Sequence, residues 1–436
     1  MRYAKIPNKL FEKNREKVLK LLPTNSSAVV FSNPQMPRNG DEFHTYRQNS
    51  DFFYLTGICQ EKSVLILSNA GEQHEYLFLL EAKPELEQWE GKKLQNDEAE
   101  SISGIKNIFT LSQFNEIWNE LAQKSDYLFY GLNNNPRLKT DLLLPDKLFG
   151  QELAEKWKNK DVQSLDAIMT ECRIVKEPEE IALIKKASDI TREAFFDILP
   201  HAVGGLYEYE LESIMTSCFI RNGAEGHAFS PIISNGENTC YLHYIKNDQK
   251  LINGNLLLMD FGSEYANYAS DCTRVLPIGG KFSTKQKKYY NAVYSVFKEI
   301  RNFYAPGKTI EEAQKETCKL IQEELLSLKL ISKSDIYNRG EKPAYYKYYM
   351  HNISHFIGLD THDVGEKDFV LRPGMVISCE PGIYDLENKI GIRLEDTLVI
   401  TENGNLDLME SIPMNPEEIE YLMNTTSLYT PHQISK

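Results

Sequence analysis

Long apolar runs are missing from this 436-residue chain. None approaches the ~20 residues a helix needs to cross a bilayer, and the start, Met1-Arg2-Tyr3-Ala4-Lys5-Ile6-Pro7, lacks the apolar stretch of a secretory signal. Positive charge is also in short supply, with 49 Lys and Arg against 63 Asp and Glu and a formal net charge of -14. Nucleic acid and anionic membranes are bound chiefly through clustered Lys and Arg, so neither is expected as a partner. Cysteine is scarce and scattered. Seven occur singly, with no CxxC pair and no regular framework, so reduced thiols in a cytoplasmic compartment are the simplest account. The 41% of hydrophobic residues suffice for ordinary cores, and the length suits two domains better than one.

Up to about residue 165, short apolar runs (Ala28 to Phe31, Val64 to Leu67, Tyr76 to Leu80, Tyr127 to Tyr130) alternate with polar helical stretches. That alternation predicts a small α/β domain, residues 1–165. Charged runs such as Glu12 to Lys20 and Glu85 to Glu100 are mixed or acidic and read as solvated faces. Further on, Pro178 fits the first turn of a helix, and Glu179 and Glu180 suit that end's positive dipole. The boundary is placed just upstream, leaving 166–436 as a second domain. Ile181 to Phe195 and Tyr207 to Ile220 predict one helix pair, Tyr289 to Tyr304 and Ile310 to Leu330 another.

The chemistry concentrates in five residues of the second domain: Asp260, Asp271, His355, Glu380 and Glu395. Each stands in or beside an apolar, strand-like run, such as Leu256-Leu257-Leu258-Met259-Asp260-Phe261 and Met375-Val376-Ile377-Ser378-Cys379-Glu380. Carboxylates are costly to bury without a counter-charge, so something cationic is expected to hold them. Asp260 and Asp271 flank Gly262 to Tyr268, which reads as the turn of a hairpin placing the two acids side by side. Glu380 and Glu395 repeat the arrangement around Asp385 to Lys389. Two pairs of acids exceed what one divalent ion usually needs, which predicts a dinuclear centre. A lone histidine is more often an ordinary core or surface residue than a ligand. Here, however, His351, His355 and His362 put three of nine histidines into twelve residues. Cys272 and Cys379 adjoin proposed ligands, but adjacent strand residues face opposite ways, so both read as packing residues.

These residues fall into a known pattern. Asp260-Phe261-Gly262, Ser270-Asp271-Cys272-Thr273-Arg274, His351-x-x-Ser354-His355-x-x-Gly358-Leu359-Asp360-x-His362-Asp363, Cys379-Glu380-Pro381-Gly382-Ile383-Tyr384 and Gly391-Ile392-Arg393-Leu394-Glu395-Asp396 occur in the order seen in the "pita-bread" metallopeptidases. Within that family the chain resembles the aminopeptidase P group, the Xaa-Pro aminopeptidases. The stretch Tyr46-Arg47-Gln48-Asn49-Ser50-Asp51-Phe52-Phe53-Tyr54-Leu55-Thr56-Gly57 is similar to that group's accessory domain, so the resemblance covers nearly the whole chain.

The resemblance implies an α/β (α+β) protein in which an amino-terminal accessory domain precedes a pseudo-symmetric catalytic domain. It implies that Asp271 and Glu395 bridge two divalent metal ions, that Asp260 completes one, and that His355 with Glu380 complete the other. Oxygen ligands with one imidazole favour Mn2+, with Co2+, Fe2+ or Zn2+ as substitutes. Glu380 would double as general base, His362 and His243 would contact substrate around the scissile bond, and His351 and Arg393 would line a pocket for a proline ring. His243 as a buried histidine between tyrosines, and Arg393 as a mere neutraliser of the acids, are the plainer alternatives. Tyr384 and Tyr46 read equally as pocket walls or core. Asn352 stands where most relatives have Gly, and Asn tolerates left-handed backbone angles better than other non-glycine residues. The connections from His362 to Glu380 and from Glu380 to Glu395 are short, which bears on preferred peptide length.

The implied substrates are peptides with proline at position 2, and the implied assembly is a homodimer or homotetramer. Two other readings stand beside this one: a prolidase-type dipeptidase with the same metal motif, and a binding protein that keeps the fold without the chemistry.

Overall fold

The computed structural model describes residues 2–81, 83–131, 144–337 and 342–425, so the end of the second expected domain lies outside the described residues. The chain divides into two compact units, Tyr3–Arg173 and Ile174–Lys436. No helix among the described residues is long and apolar enough to cross a membrane.

In the first unit the apolar runs become strands of one mixed six-stranded sheet. Its order is Ile108–Thr110, Glu75–Leu79, Val64–Ser68, Ser26–Phe31, Tyr127–Tyr130, Asp161–Ser164. The two middle strands pair antiparallel, Val29 opposite Ile66, and Ser26–Phe31 runs parallel to Tyr127–Tyr130. Val29, Ile66, Phe78, Phe114 and Trp118 form part of the core on one face. The Tyr46 to Gly57 stretch turns out to be a structural clasp. Asn49 caps the short helix Ser50–Thr56 by accepting from Phe52 N at 3.0 Å, and Gln48 Nε2 donates to the carbonyls of Ile58 and Gln60. The helix ends at Gly57, φ +69°, where a Cβ would lie 2.3 Å from the Phe11 ring. Asp51 is buried and pairs with Arg173 at 2.7 Å.

The second unit begins with Pro178–Ile198, which has Pro178 in its first turn and a reciprocal cap between Glu177 and Glu180. This helix packs on Glu208–Arg221, and later Thr284–Phe303 packs on Ile310–Ser327. The first pair accompanies a three-stranded antiparallel sheet, Ile232–Asn235, Leu256–Phe261, Cys272–Pro277; the second accompanies Val376–Cys379, Asp396–Thr401, Gly404–Asp407. The hairpin Gly382–Asp385 and Ile390–Arg393 completes the second group. A helix pair with antiparallel strands thus occurs twice. The halves join through a bridge in which Glu395 N donates to Thr273 O at 3.1 Å.

One local expectation changes. The link between Asp260 and Asp271 is not a plain turn but contains a second small hairpin, Ser263–Tyr265 with Tyr268–Ala269. It reverses at Ala266 and Asn267, φ +52° and +62°, the pair of left-handed residues that a tight two-residue hairpin requires. Asp260 therefore lies opposite Thr273, and Asp271 immediately precedes its strand. Asn352 needs no left-handed tolerance, since its φ is not positive.

The nested hairpin closes so tightly that only glycine fits at its base. A Cβ on Gly262 would lie 1.7 Å from the Ser270 carbonyl oxygen, next to Asp271. Gly262→Ala is expected to cost about 2–3 kcal/mol through forced backbone movement. Thermal or denaturant unfolding checks this, and an unchanged midpoint would contradict the packing described.

Candidate metal centre

The strand ends bring the acids together. Asp260 lies opposite Thr273, which is bridged to Glu395, and Asp271 and Glu380 stand at the ends of the strands Cys272–Pro277 and Val376–Cys379; Cys272 and Cys379 beside them are fully buried. Asp271, His355 and Glu395 each offer a ligand atom within 4.8 Å of the others. His355 Nε2 stands 3.5 Å from Asp271 Oδ2 and 3.6 Å from Glu380 Oε1. Asp260 is the fourth carboxylate, raising its neighbours' proton affinity through its charge.

Each side chain is oriented from behind. His355 Nδ1 is 3.0 Å from the Phe356 carbonyl, which fixes the proton on Nδ1 and turns the Nε2 lone pair toward the carboxylates. Thr273 Oγ1 donates to Glu395 Oε2 at 2.7 Å and accepts from Arg393 Nε at 3.1 Å. Arg393 Nη2 pairs with Asp260 Oδ2 at 2.6 Å, and its Nη1 donates to Tyr384 OH at 3.2 Å. Ser378 Oγ donates to Glu380 Oε1 at 3.3 Å and accepts from His355 N.

The electrostatics show a deficit of positive charge. Burial is the chief cause that pushes all four carboxyls upward, Asp271 to about 6, with mutual repulsion adding to it. Burial works to lower His355, but Asp271 and Glu380 outweigh it and raise the imidazole. A pocket that pulls a proton onto its histidine and its acids is one that a cation would suit better. Asp260 Oδ1 and Asp271 Oδ1 are buried with no hydrogen-bond partner among the described residues, which is costly unless an ion takes the lone pairs. Two ligands each ~2.1 Å from a shared divalent ion stand roughly 3–3.5 Å apart, and the His355–Asp271 spacing fits. The residues present therefore suit divalent metal.

Around this cluster, His351 Nδ1 lies 3.8 Å from Glu380 Oε2 and 2.8 Å from the Asn352 carbonyl. Its Nε2 meets Tyr384 OH at 2.9 Å, and Tyr349 packs edge-on at 4.9 Å. Burial, then the charge of Arg393, lowers its pKa to about 3, so it is a neutral ring. The His362 ring stands 4.4 Å from that of His355, edge to face, and is exposed. His243 is exposed as well, not buried between tyrosines, and its charge bears on His351. Tyr384 is buried between His351 and Arg393, whereas Tyr46 belongs to the first unit and bonds Gln48 and the Asn33 carbonyl.

Sequence reasoning passed over two supports. Thr273 was visible as the residue two along from Asp271, hence on its face. Arg274, on the opposite face, is fully buried and pairs with Asp396 at 2.6 Å while donating to the carbonyls of Thr273, Glu395, Ile412 and Pro413. It clamps the backbone that presents Asp271 and Glu395. A cation at Arg274, three residues after Asp271, and an acid at Asp396, beside Glu395, each in an otherwise apolar strand-like run, were the available signal.

Comparison with known proteins agrees with this geometry. The sequence profile of Metallopeptidase family M24 matches residues 182–402, and that of the aminopeptidase P N-terminal domain matches residues 11–130. The chain is 33% identical to the Xaa-Pro aminopeptidase of Escherichia coli over 443 residues, covering 96% of this chain and 98% of the relative. The structure of E. coli aminopeptidase P with the inhibitor Pro-Leu superposes with a TM-score of 0.88 at 31% identity, covering 97% of this chain and 99% of that one. An aminopeptidase from Pseudomonas aeruginosa gives 0.89 at 31%, over 97% and 99%. The chain belongs to metallopeptidase family M24, in its aminopeptidase P group, with the pita-bread catalytic fold of a metal-dependent aminopeptidase.

Proposed function

We propose that this aminopeptidase removes the N-terminal residue from peptides whose second residue is proline, using two divalent ions, Mn2+ by preference. The observation that carries the reading is the convergence of Asp271, His355 and Glu395 within 4.8 Å in a pocket of raised carboxyls and unpartnered acid oxygens. Asp260, Asp271, His355, Glu380 and Glu395 would hold the ions, with Asp271 and Glu395 shared between them. Bound there, the ions supply Lewis acidity and bring a water's deprotonation near neutral pH.

The chain's own groups supply the rest. Glu380, oriented by Ser378, takes a proton from water as it adds to the scissile carbonyl, then returns it to the prolyl nitrogen as the C–N bond breaks. That nitrogen carries no hydrogen in the substrate, so the site cannot recognise it as a donor and must read the ring's shape. His351, neutral and packed against Tyr349 and Tyr384, offers an apolar wall for it. Arg393 sits behind that wall at 4% exposure. Its primary task is to neutralise Asp260, and it lines the pocket through Tyr384. His362 and His243, both exposed to solvent, would donate to the carbonyl oxygen as charge develops on it.

In this reading residues 1–165 form the accessory domain, residues 166–436 the catalytic one, and self-association is as a homodimer or homotetramer. All seven cysteines are free, in keeping with a reducing cytoplasm. Light scattering of the purified protein as a monomer at working concentration would reject the assembly.

Chelation should abolish hydrolysis and manganese should restore it; activity that survives exhaustive chelation would contradict the reading. With manganese present, Ala-Pro-Ala should be cleaved and Ala-Ala-Ala should not. Turnover of Ala-Pro with Ala-Pro-Ala left intact would instead identify a prolidase-type dipeptidase. Asp271→Ala and Glu395→Ala should each lower kcat/KM by at least about 1000-fold, and parental rates in either variant would dismiss the proposed ligands.

A further inference from the structure

Glu208 is a fully buried carboxylate with no cationic partner among the described residues, held instead by four donors. Its Oε1 accepts from Asn235 N at 2.9 Å and Asn235 Nδ2 at 2.7 Å; its Oε2 accepts from Tyr244 OH at 2.8 Å and Gln249 N at 3.0 Å. Glu208 N in turn donates to Gln249 O at 3.0 Å. Since Glu208 opens the helix Glu208–Arg221, its charge is favoured there by the helix's positive end. One side chain thus ties a helix start to both stems of the loop that runs from Asn235 to Gln249.

That loop carries His243. On its far side Thr239 Oγ1 accepts from Gly391 N at 2.8 Å, and Gly391 approaches so closely that a Cβ would lie 2.0 Å from Thr239 O. On its near side Asn247, at φ +49°, donates to Glu212 Oε2 and to the Pro231 carbonyl, and accepts from Ile233 N. Between these anchors Tyr241, His243 and Ile245 are exposed. Tyr244, like Leu242, is half-buried, and its hydroxyl reaches inward to Glu208 and, at 3.4 Å, Asp248.

We propose that Tyr244 and Glu208 are positioning residues for His243, the Tyr244–Glu208 hydrogen bond fixing the backbone from which the His243 imidazole meets the substrate. The inference rests on the substrate-contact reading of His243 given above. A loop backbone has many states to choose from, and small displacements at a reacting centre are expensive. Anchoring the next residue through a buried charge-assisted hydrogen bond removes much of that freedom.

The test is a double-mutant cycle on the manganese-loaded full chain with Ala-Pro-Ala. Tyr244→Phe keeps the ring and deletes the hydroxyl. It should lower kcat/KM about tenfold with little change in thermal midpoint. In the His243→Ala background the same substitution should cost less than about twofold, because its effect passes through a group no longer there. Glu208→Gln, which sets an amide donor against the Gln249 N–H or the tyrosine hydroxyl, should act in the same direction, and Tyr244→Phe decides the matter should that variant not fold. Losses that add in the double variant, or a fully active Tyr244→Phe, overturn the proposal while leaving His243 in place. A His243→Ala enzyme as active as the parent removes that reading and the proposal together.

Discussion

The controlling constraint is a shortage of positive charge around buried acids. Asp260, Asp271, Glu380 and Glu395 share a pocket in which Arg393 pairs with Asp260 at 2.6 Å and His355 stands against Asp271 and Glu380. Desolvation alone makes such a grouping costly, and each added like charge raises the cost. The protein keeps the cluster because its scaffold is rigid enough to resist the repulsion and because divalent ions are the natural remedy. Without that remedy His355 is pulled toward imidazolium and the carboxyls toward their neutral forms.

The scaffold's answer is divided between two faces. On the ligand face Thr273 joins Glu395 to Arg393, and Arg393 joins Asp260 to Tyr384 and thence to His351. On the opposite face Arg274 and Asp396 form a dry ion pair, 0% and 3% exposed, that gathers four carbonyls. Removing one member of such a pair strands the other and typically costs 3–5 kcal/mol. The back face therefore serves stability, and the front face sets where the acids point. A second buried ion pair, Lys176 with Asp363 at 2.9 Å, holds the residue that directly follows His362 in the chain.

Much of this was legible because local signals agreed. Pro178 with Glu179 and Glu180 marked a helix start, the apolar runs of the first unit marked strands, and the reading of Cys272 and Cys379 as packing residues agrees with their full burial. The ligand candidates were legible from motif order more than from any single spacing. What escaped was either a fine turn or a long-range partner. The hairpin nested between Asp260 and Asp271 depends on left-handed Ala266, which no propensity favours. Thr273 and Glu395 are 122 residues apart, and Lys176 and Asp363 187; nothing in either neighbourhood names the other. Glu208 carries no sequence signal beyond that of an acid at a helix start, because its four donors come from a loop whose path the sequence does not disclose.

The central claim is that these acids surround two ions. Anomalous diffraction at the manganese edge from crystals grown with that metal measures it most directly. The account predicts two peaks about 3.5 Å apart, both between Asp271 and Glu395, one also against Asp260 and the other against His355 and Glu380. A single peak, or manganese bound elsewhere with these side chains still facing one another empty, would contradict it.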